Sequence, residues 1–114
     1  SGHGDRGETR KITLKGLKGA GVVEVAVHLD FDRDKNYASE YVELQAGSAA
    51  STRFVDKVLL GKGFVGWLPL RSARADGVLR DADVVTIVLR PVGAHVRVRG
   101  VRVFSSEPVK HAEC

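Results

Sequence analysis

The valines of residues 93–104 place the strongest constraint on the fold, because they change parity once along the segment. Two stand at even positions and, after Gly100, two stand at odd positions: Val96, Val98, Val101 and Val103. Side chains of a strand alternate between its faces, so an uninterrupted strand would turn two of these valines to solvent. A β-bulge at Arg99 and Gly100 would absorb the extra residue and keep all four inward. The segment therefore predicts a closing strand with a bulge.

The same bulge predicts a basic row on the outer face of that strand, made of Arg97, Arg99 and Arg102. With Arg90, these residues are the densest concentration of charge in the chain. Such a row could bind phosphate or an acidic peptide. Alternatively, its members could pair with carboxylates on neighbouring strands, namely Glu24, Glu43 or Asp30. We expect at least two of the three to be paired, which makes nucleic acid the less favoured partner class.

The rest of the chain has the pattern of short strands separated by turn residues. Apolar residues alternate, or run together over strand length, in residues 12–14, 23–29, 42–46, 54–60, 64–70 and 84–89. The last of these is almost continuously apolar, as is typical of a central strand covered on both faces. No window has helical periodicity over helical length. Strands at this spacing without helices predict an all-β fold, an antiparallel sandwich or barrel.

Length and composition indicate one domain with a modest core. The chain has 114 residues, of which 43% are hydrophobic and 28% charged, and no apolar run approaches the roughly 20 residues that cross a bilayer. We expect a flexible segment at 1–9, a β-sandwich domain at 10–106 and a tail at 107–114, all within a larger polypeptide or complex. The one cysteine, Cys114, excludes an internal disulfide and suits an intracellular protein.

Acidic residues at every second position invite comparison with a calcium-binding loop: Asp30, Asp32 and Asp34, followed by Asn36. An EF-hand loop starting at Asp30 would need glycine at its sixth position and glutamate at its twelfth. Those positions hold Lys35 and Tyr41. We therefore expect no metal here, but a solvated acidic turn whose carboxylates cap backbone N–H groups.

The remaining motifs predict structural roles rather than chemistry. Residues 61–66 match GxGxxG, but they precede a strand and not a helix, which favours a hairpin turn over a phosphate site. His28 occupies the outward face of its strand, and the four histidines are scattered without ligand spacing. Nothing frames a nucleophile, so we expect no catalytic residue, no metal and no cofactor. Trp67 is expected to pack in the core.

Three blocks of the sequence, in order, resemble a known family. Residues 30–37 are similar to Asp-Tyr-x-x-Asp-x-x-Tyr, residues 66–70 to a Gly-Trp block that ends in Pro-Leu, and residues 93–104 to a closing strand that contains Val-Arg and ends in an aromatic residue. Together they resemble the DOC domain, found in the anaphase-promoting complex and other large ubiquitin ligases. The resemblance implies a galactose-binding-domain-like jelly-roll β-sandwich, here lacking the first strand or strands.

The resemblance also implies a non-catalytic protein-interaction module, which recognises a substrate or partner within a ubiquitin-ligase protein or complex of the Ubl conjugation pathway. The family's ligand loops match residues 32–39 and 90–95, and loops on a rigid β scaffold commonly carry recognition. The residues expected to contact a protein or peptide are Asn36, Tyr37, Arg90 and His95. Both loops depart from the family pattern. A lectin-like carbohydrate-binding module on the same fold is the alternative, because one fold hosts many functions.

Overall fold

The computed structural model describes residues 9–34, 38–61, 63–71, 77–92 and 96–105. These residues form seven strands in chain order: β1 (Arg10–Leu14), β2 (Val22–Asp30), β3 (Ser39–Gly47), β4 (Thr52–Leu59), β5 (Val65–Arg71), β6 (Val84–Pro91) and β7 (Gly100–Ser105). The described part of the chain contains no helix. The all-β prediction is confirmed, whereas the predicted terminal segments lie almost entirely outside the described residues.

The strands form two antiparallel sheets that pack face to face. One sheet has four strands in the order β1-β6-β3-β4, and the other has three in the order β5-β2-β7. Every pairing within them is antiparallel. Both sheets contribute inward-facing side chains to one core, which confirms the predicted β-sandwich. The finer prediction of a galactose-binding-like jelly roll stays a prediction.

Strand β2 shows why these residues form a sandwich. Val25, Val27 and Leu29 are completely buried, whereas Glu24 and His28 are half-buried on the opposite face. This alternation gives the strand one apolar face. Packing of the opposing sheet against that face removes it from water. In the opposing sheet, the inward residues of β3 and β6 are buried to the same degree and complete the core: Val42, Leu44, Ala46, Val85, Ile87 and Leu89.

Strand β6 is the central strand that its apolar run predicts. All six of residues 84–89 are buried, and β1 and β3 pair with it on either side. Ile87 faces the core, whereas Val88 is only 6% exposed on the outer face. Val88 stands between Lys11 of β1 and Glu43 of β3 in the register, and long side chains at such positions cover apolar surface with their stems.

The predicted hairpin at residues 61–66 is wrong, because the strands on either side of it lie in different sheets. Strand β4 is at the edge of the four-stranded sheet and β5 is at the edge of the three-stranded sheet. The connection is therefore a corner of the sandwich, in which Gly63 adopts a left-handed φ of 76°. A hydrogen bond joins the two edges, in which the backbone N–H of Arg71 donates to the Asp56 carboxylate at 3.1 Å.

The predicted bulge at Arg99 and Gly100 lies at the start of β7. The strand begins at Gly100, which stands opposite His28 in the register, and the N–H of Arg99 donates to the carbonyl of the same His28 at 2.9 Å, so two residues face one, as in a bulge. A second irregularity in the β2–β7 register lies at the other end of the pair, between Val22 and Glu24. The single long closing strand is not observed, because residues 96–99 precede β7 and are not part of it.

Three of the four valines in this segment pack against the core. Val96 is 5% exposed, and Val98 and Val101 are half-buried against the core cluster. Val103 stands opposite the buried Val25 and so lies on the inward face as predicted, yet it is 38% exposed. Strand β7 has β2 as its partner on one side only within the three-stranded sheet, so the edge leaves Val103 open to solvent.

Candidate functional site

One end of the sandwich brings together the described parts of the two loops expected to bind a partner. The turn after β2, the start of β3, the corner after β4 and the end of β6 all meet there. Three backbone hydrogen bonds fasten them: Phe31 N–H to Phe64 O (2.8 Å), Leu60 N–H to Glu40 O (2.9 Å) and Val92 N–H to Ala38 O (2.9 Å). Because each bond joins two different segments, this end is held by the scaffold rather than by each loop alone.

A cleft of about 500 Å³ opens at this end. Its lining is mainly apolar and consists of Phe31, Asp32, Ala38, Ser39, Glu40, Leu60, Gly61, Gly63 and Val92. The ring of Phe31 lies edge-on to that of Phe64, with centroids 6.4 Å apart, which fixes the wall formed by the turn. The charged side chains among these residues are the carboxylates of Asp32 and Glu40. Asp32 is exposed, so the cleft can take an apolar group beside a cation.

Asp34 connects the acidic turn to the segment that precedes β7. Its side chain is 3% exposed, and it accepts two hydrogen bonds from Arg99, Nε to Oδ2 at 2.8 Å and Nη2 to Oδ1 at 2.9 Å. Arg97 lies farther away, with Nη1 at 3.5 Å from Oδ1. The hydrogen bonds from Arg99 hold the pKa of the Asp34 carboxyl below its ordinary value, and Asp34 in turn raises the pKa of Arg99.

The expectation of a solvated acidic turn is therefore correct for part of the turn only. Asp30 accepts the backbone N–H of Arg33 at 3.1 Å, which is the predicted capping contact, and Asp32 is exposed. Asp34 is instead buried and paired with arginine. Asn36 lies outside the described residues. Within the described ranges, no three His, Cys, Asp or Glu side chains are placed to hold a metal ion.

The three arginines do not form one row. Arg97 and Arg99 precede β7 and reach Asp34, so pairing of two of them with a carboxylate is confirmed, but the predicted partners were different ones. Glu24 binds Arg71 at 2.7 Å instead. Arg102 alone lies within the strand, opposite Ala26 of β2. The predicted row fails because its first two members leave the ladder before Gly100.

Trp67 is on the surface, and its predicted place in the core is wrong. The residue is 37% exposed on the outer face of the three-stranded sheet. It stacks on His28 with ring centroids 4.9 Å apart and 20° between the planes, and Cζ of Arg102 lies 4.1 Å from the ring centroid. The alternation of β5 explains this, because Leu68 and Leu70 are buried and force Trp67 outward. The alternation of Trp67 with Leu68 and Leu70 can be read from the sequence.

Of the four residues expected to contact a partner, the structure describes Arg90 only; Asn36, Tyr37 and His95 lie outside the described residues. Arg90 stands opposite Tyr41 on the outer face of the four-stranded sheet, and is not among the described residues that line the cleft. Its carbonyl accepts the Ser39 hydroxyl at 2.9 Å. A partner contact by these four residues stays a prediction.

Sequence reasoning did not identify Leu60, Gly61 and Gly63 as parts of a binding site. They belong to the corner after β4, which approaches the other three segments only because the chain changes sheets there. No local pattern reports that approach.

Comparison with known proteins leaves the chain unassigned to a family. No family model matches it, and no curated protein matches it. The similarity to the DOC domain therefore rests on the three sequence blocks. No helix in the described part of the chain could cross a membrane.

Proposed function

We propose that this chain is a non-catalytic protein-interaction module that binds a peptide segment of its partner in the cleft at the end of the sandwich. The observation that carries this proposal is the cleft itself, about 500 Å³ in volume and mainly apolar. Ligand sites are typically concavities of this size, lined by apolar groups with a few polar ones.

The lining indicates which peptides fit. Ala38, Leu60 and Val92 offer apolar contact, and Val92 is 53% exposed, so a ligand could still cover much of it. The exposed carboxylate of Asp32 favours a lysine or arginine next to the bound apolar side chain. Because backbone hydrogen bonds already hold the walls, binding has less ordering entropy to offset.

The resemblance to the DOC domain supplies the context for this module. It supports recognition of a substrate or partner within an intracellular ubiquitin-ligase protein or complex, with this chain as one part of a larger assembly. The partner class is protein or peptide, and no catalytic group or cofactor is assigned.

A lectin-like role fits the cleft less well. Sugar sites need several polar groups that converge on hydroxyls. The Ser39 hydroxyl has one proton, which is shared between two backbone carbonyls, Tyr41 O at 2.7 Å and Arg90 O at 2.9 Å. Phe31, the aromatic ring among the lining residues, is only 3% exposed. An apolar peptide side chain needs neither polar convergence nor an open ring.

The decisive experiment is selection of peptides from a random displayed library, followed by affinity measurement on two variants. Gly61 lines the cleft and has open space where a Cβ would be, so Gly61→Phe should fill the cleft and abolish binding. Ala49→Phe adds the same ring to an exposed site at the opposite end of the sandwich and should leave binding unchanged.

Peptides that bind Gly61→Phe as tightly as the unmodified protein would refute the proposed site. A glycan array provides the second arm. Millimolar or tighter sugar binding that Gly61→Phe removes would refute the peptide-binding function in favour of the lectin-like one.

A further inference from the structure

The outer face of the three-stranded sheet carries a compact group of exposed aromatic and cationic residues. The register places His28 of β2 opposite Trp67 of β5, and Arg102 of β7 beside them. Pro69 and Phe104 extend the same surface along the edge strands, and Phe104 is 41% exposed. We call these five residues the Trp67 face.

The Trp67 face is a continuous surface rather than a set of scattered apolar residues. A Cβ added to Gly100 would lie 3.1 Å from the indole of Trp67, so the ring reaches across β2 to β7. Ala26 lies beneath the group and is only 3% exposed, although it occupies the outward side of its strand. Exposed apolar patches of this kind in soluble proteins commonly mark interaction sites, and tryptophan and arginine are enriched in binding hot spots.

No carboxylate among the described residues balances the charge of the Trp67 face. Glu24 is bound to Arg71 at 2.7 Å, and Asp30 lies 3.7 Å from Arg33. Within the described residues, Arg102 has no carboxylate at ion-pair distance. Its guanidinium lies over the ring of Trp67, with the Cζ atom 4.1 Å from the ring centroid, and a guanidinium held over a ring can still donate its N–H groups to a carboxylate. The contact with the ring therefore positions Arg102 with N–H donors available to an anion.

From these observations we propose that the Trp67 face is a second protein-binding surface, which recognises a segment with aspartate or glutamate next to an aromatic or apolar side chain. Arg102 binds the carboxylate, while Trp67 and Phe104 contact the apolar group. The proposal shares the interaction-module function with the cleft but uses separate residues. The cleft has acidic lining residues, so the two surfaces favour ligands of opposite charge.

The local charge favours a protein over a nucleic acid. Nucleic-acid binding draws most of its affinity from several phosphate contacts. On this face, Arg71 is already neutralised by Glu24, and among the described residues this leaves Arg102 and His28 as the groups that could face phosphate. One or two such contacts suit a single acidic side chain, not a phosphate backbone.

Trp67 is the only tryptophan in the chain, so its indole N–H resonance reports on this face alone. The probe is a synthetic five-residue peptide with glutamate on both sides of a central phenylalanine, compared with its glutamine counterpart. We expect the acidic peptide to shift the indole resonance and the glutamine peptide to shift it far less. Arg102→Gln should weaken the response about tenfold or more.

The double variant Arg71→Gln/Glu24→Gln is the matched control, because it removes an arginine from the same sheet face together with the carboxylate that already pairs with it. It should leave peptide affinity within about twofold, since a paired rim charge contributes little. Gly61→Phe should also leave the indole response intact, which separates this surface from the cleft.

An indole resonance that does not move at millimolar acidic peptide would overturn the proposal. Equal responses of Arg102→Gln and the unmodified protein would do the same. A stronger, steeply salt-dependent shift with a single-stranded oligonucleotide would also overturn it, in favour of nucleic acid.

Discussion

Replacing Trp67 with alanine distinguishes a surface ring from a core ring by the size of the stability loss. An aromatic side chain buries up to about 200 Å². Because 37% of the residue is exposed, the folded state buries about two thirds of that area, or about 130 Å². Replacement by alanine removes this buried area. At about 25 cal/mol per Å² this corresponds to about 3 kcal/mol, and compactness of the unfolded chain reduces it to about 2 kcal/mol.

The assay for Trp67→Ala is urea unfolding followed by far-UV circular dichroism, because the variant has no tryptophan fluorescence. We expect the free energy of unfolding to fall by about 2 kcal/mol, compared with about 3–5 kcal/mol for an aromatic residue removed from a core. Leu70→Ala, on the same strand but fully buried, supplies the core reference at about 2–5 kcal/mol.

A double-mutant cycle with Arg102→Gln isolates the contact between guanidinium and ring. It should give a coupling of about 0.5–1 kcal/mol, as for exposed cation–π pairs. A loss below about 0.5 kcal/mol for Trp67→Ala would mean that the indole is not held by its neighbours. A loss above about 4 kcal/mol would mean that the ring is buried. Either result would refute the reasoning.

Gly47→Ala should destabilise the fold by about 1–3 kcal/mol in urea unfolding, because the added Cβ would lie 2.3 Å from the carbonyl oxygen of Ser51. Gly61 has open space around it, so Gly61→Ala should be neutral or stabilising by up to about 1 kcal/mol. Equal effects of the two substitutions would contradict the predicted clash at Gly47. Asp34→Asn should lower the free energy of unfolding, because the ionised carboxylate contributes stability that is fully present above the unfolded-state pKa of 3.8 and is lost as the pH falls through the lower folded-state pKa. In urea unfolding at a series of pH values, the difference in free energy between the variant and the unmodified protein should close only below about pH 4. Arg99→Lys should raise the folded-state pKa of Asp34, measured by carboxyl NMR titration, because lysine cannot reproduce two parallel hydrogen bonds to one carboxylate.

The strands were predictable because burial on one face imposes period-two alternation. Strand β2 shows this most clearly, and β6 shows the related signal of a strand covered on both sides. The same rule would have placed Trp67 on the outer face, since the leucines that flank it alternate with it. The prediction of a core Trp67 rests on residue type, a large apolar ring, and it is wrong because the position in the strand decides which face the side chain takes.

The closing segment was harder to predict, because a bulge at a change of parity can lie within a strand or at its start. A bulge within the strand keeps both halves in one ladder, whereas a bulge at its start leaves the first half outside it. The pair between Arg99 and Asp34 accompanies the second arrangement. Those residues are 65 positions apart, and no periodicity reports a contact at that separation. The cleft has the same difficulty, because its walls come from four separated segments.

The register of β7 decides which arginine remains for a partner. Arg97 and Arg99 come before Gly100 and share Asp34, whose burial makes an unpaired carboxylate costly and the pair structural. Arg102 stands opposite Ala26, which offers no charge, whereas the carboxylate of Glu24 stands two residues further along β2, opposite Phe104. A shift of the register by two residues would set Arg102 against Glu24 and neutralise it. The observed register instead keeps Arg102 over Trp67 and keeps Glu24 for Arg71, so the charge on this face follows from strand pairing and not from the number of arginines.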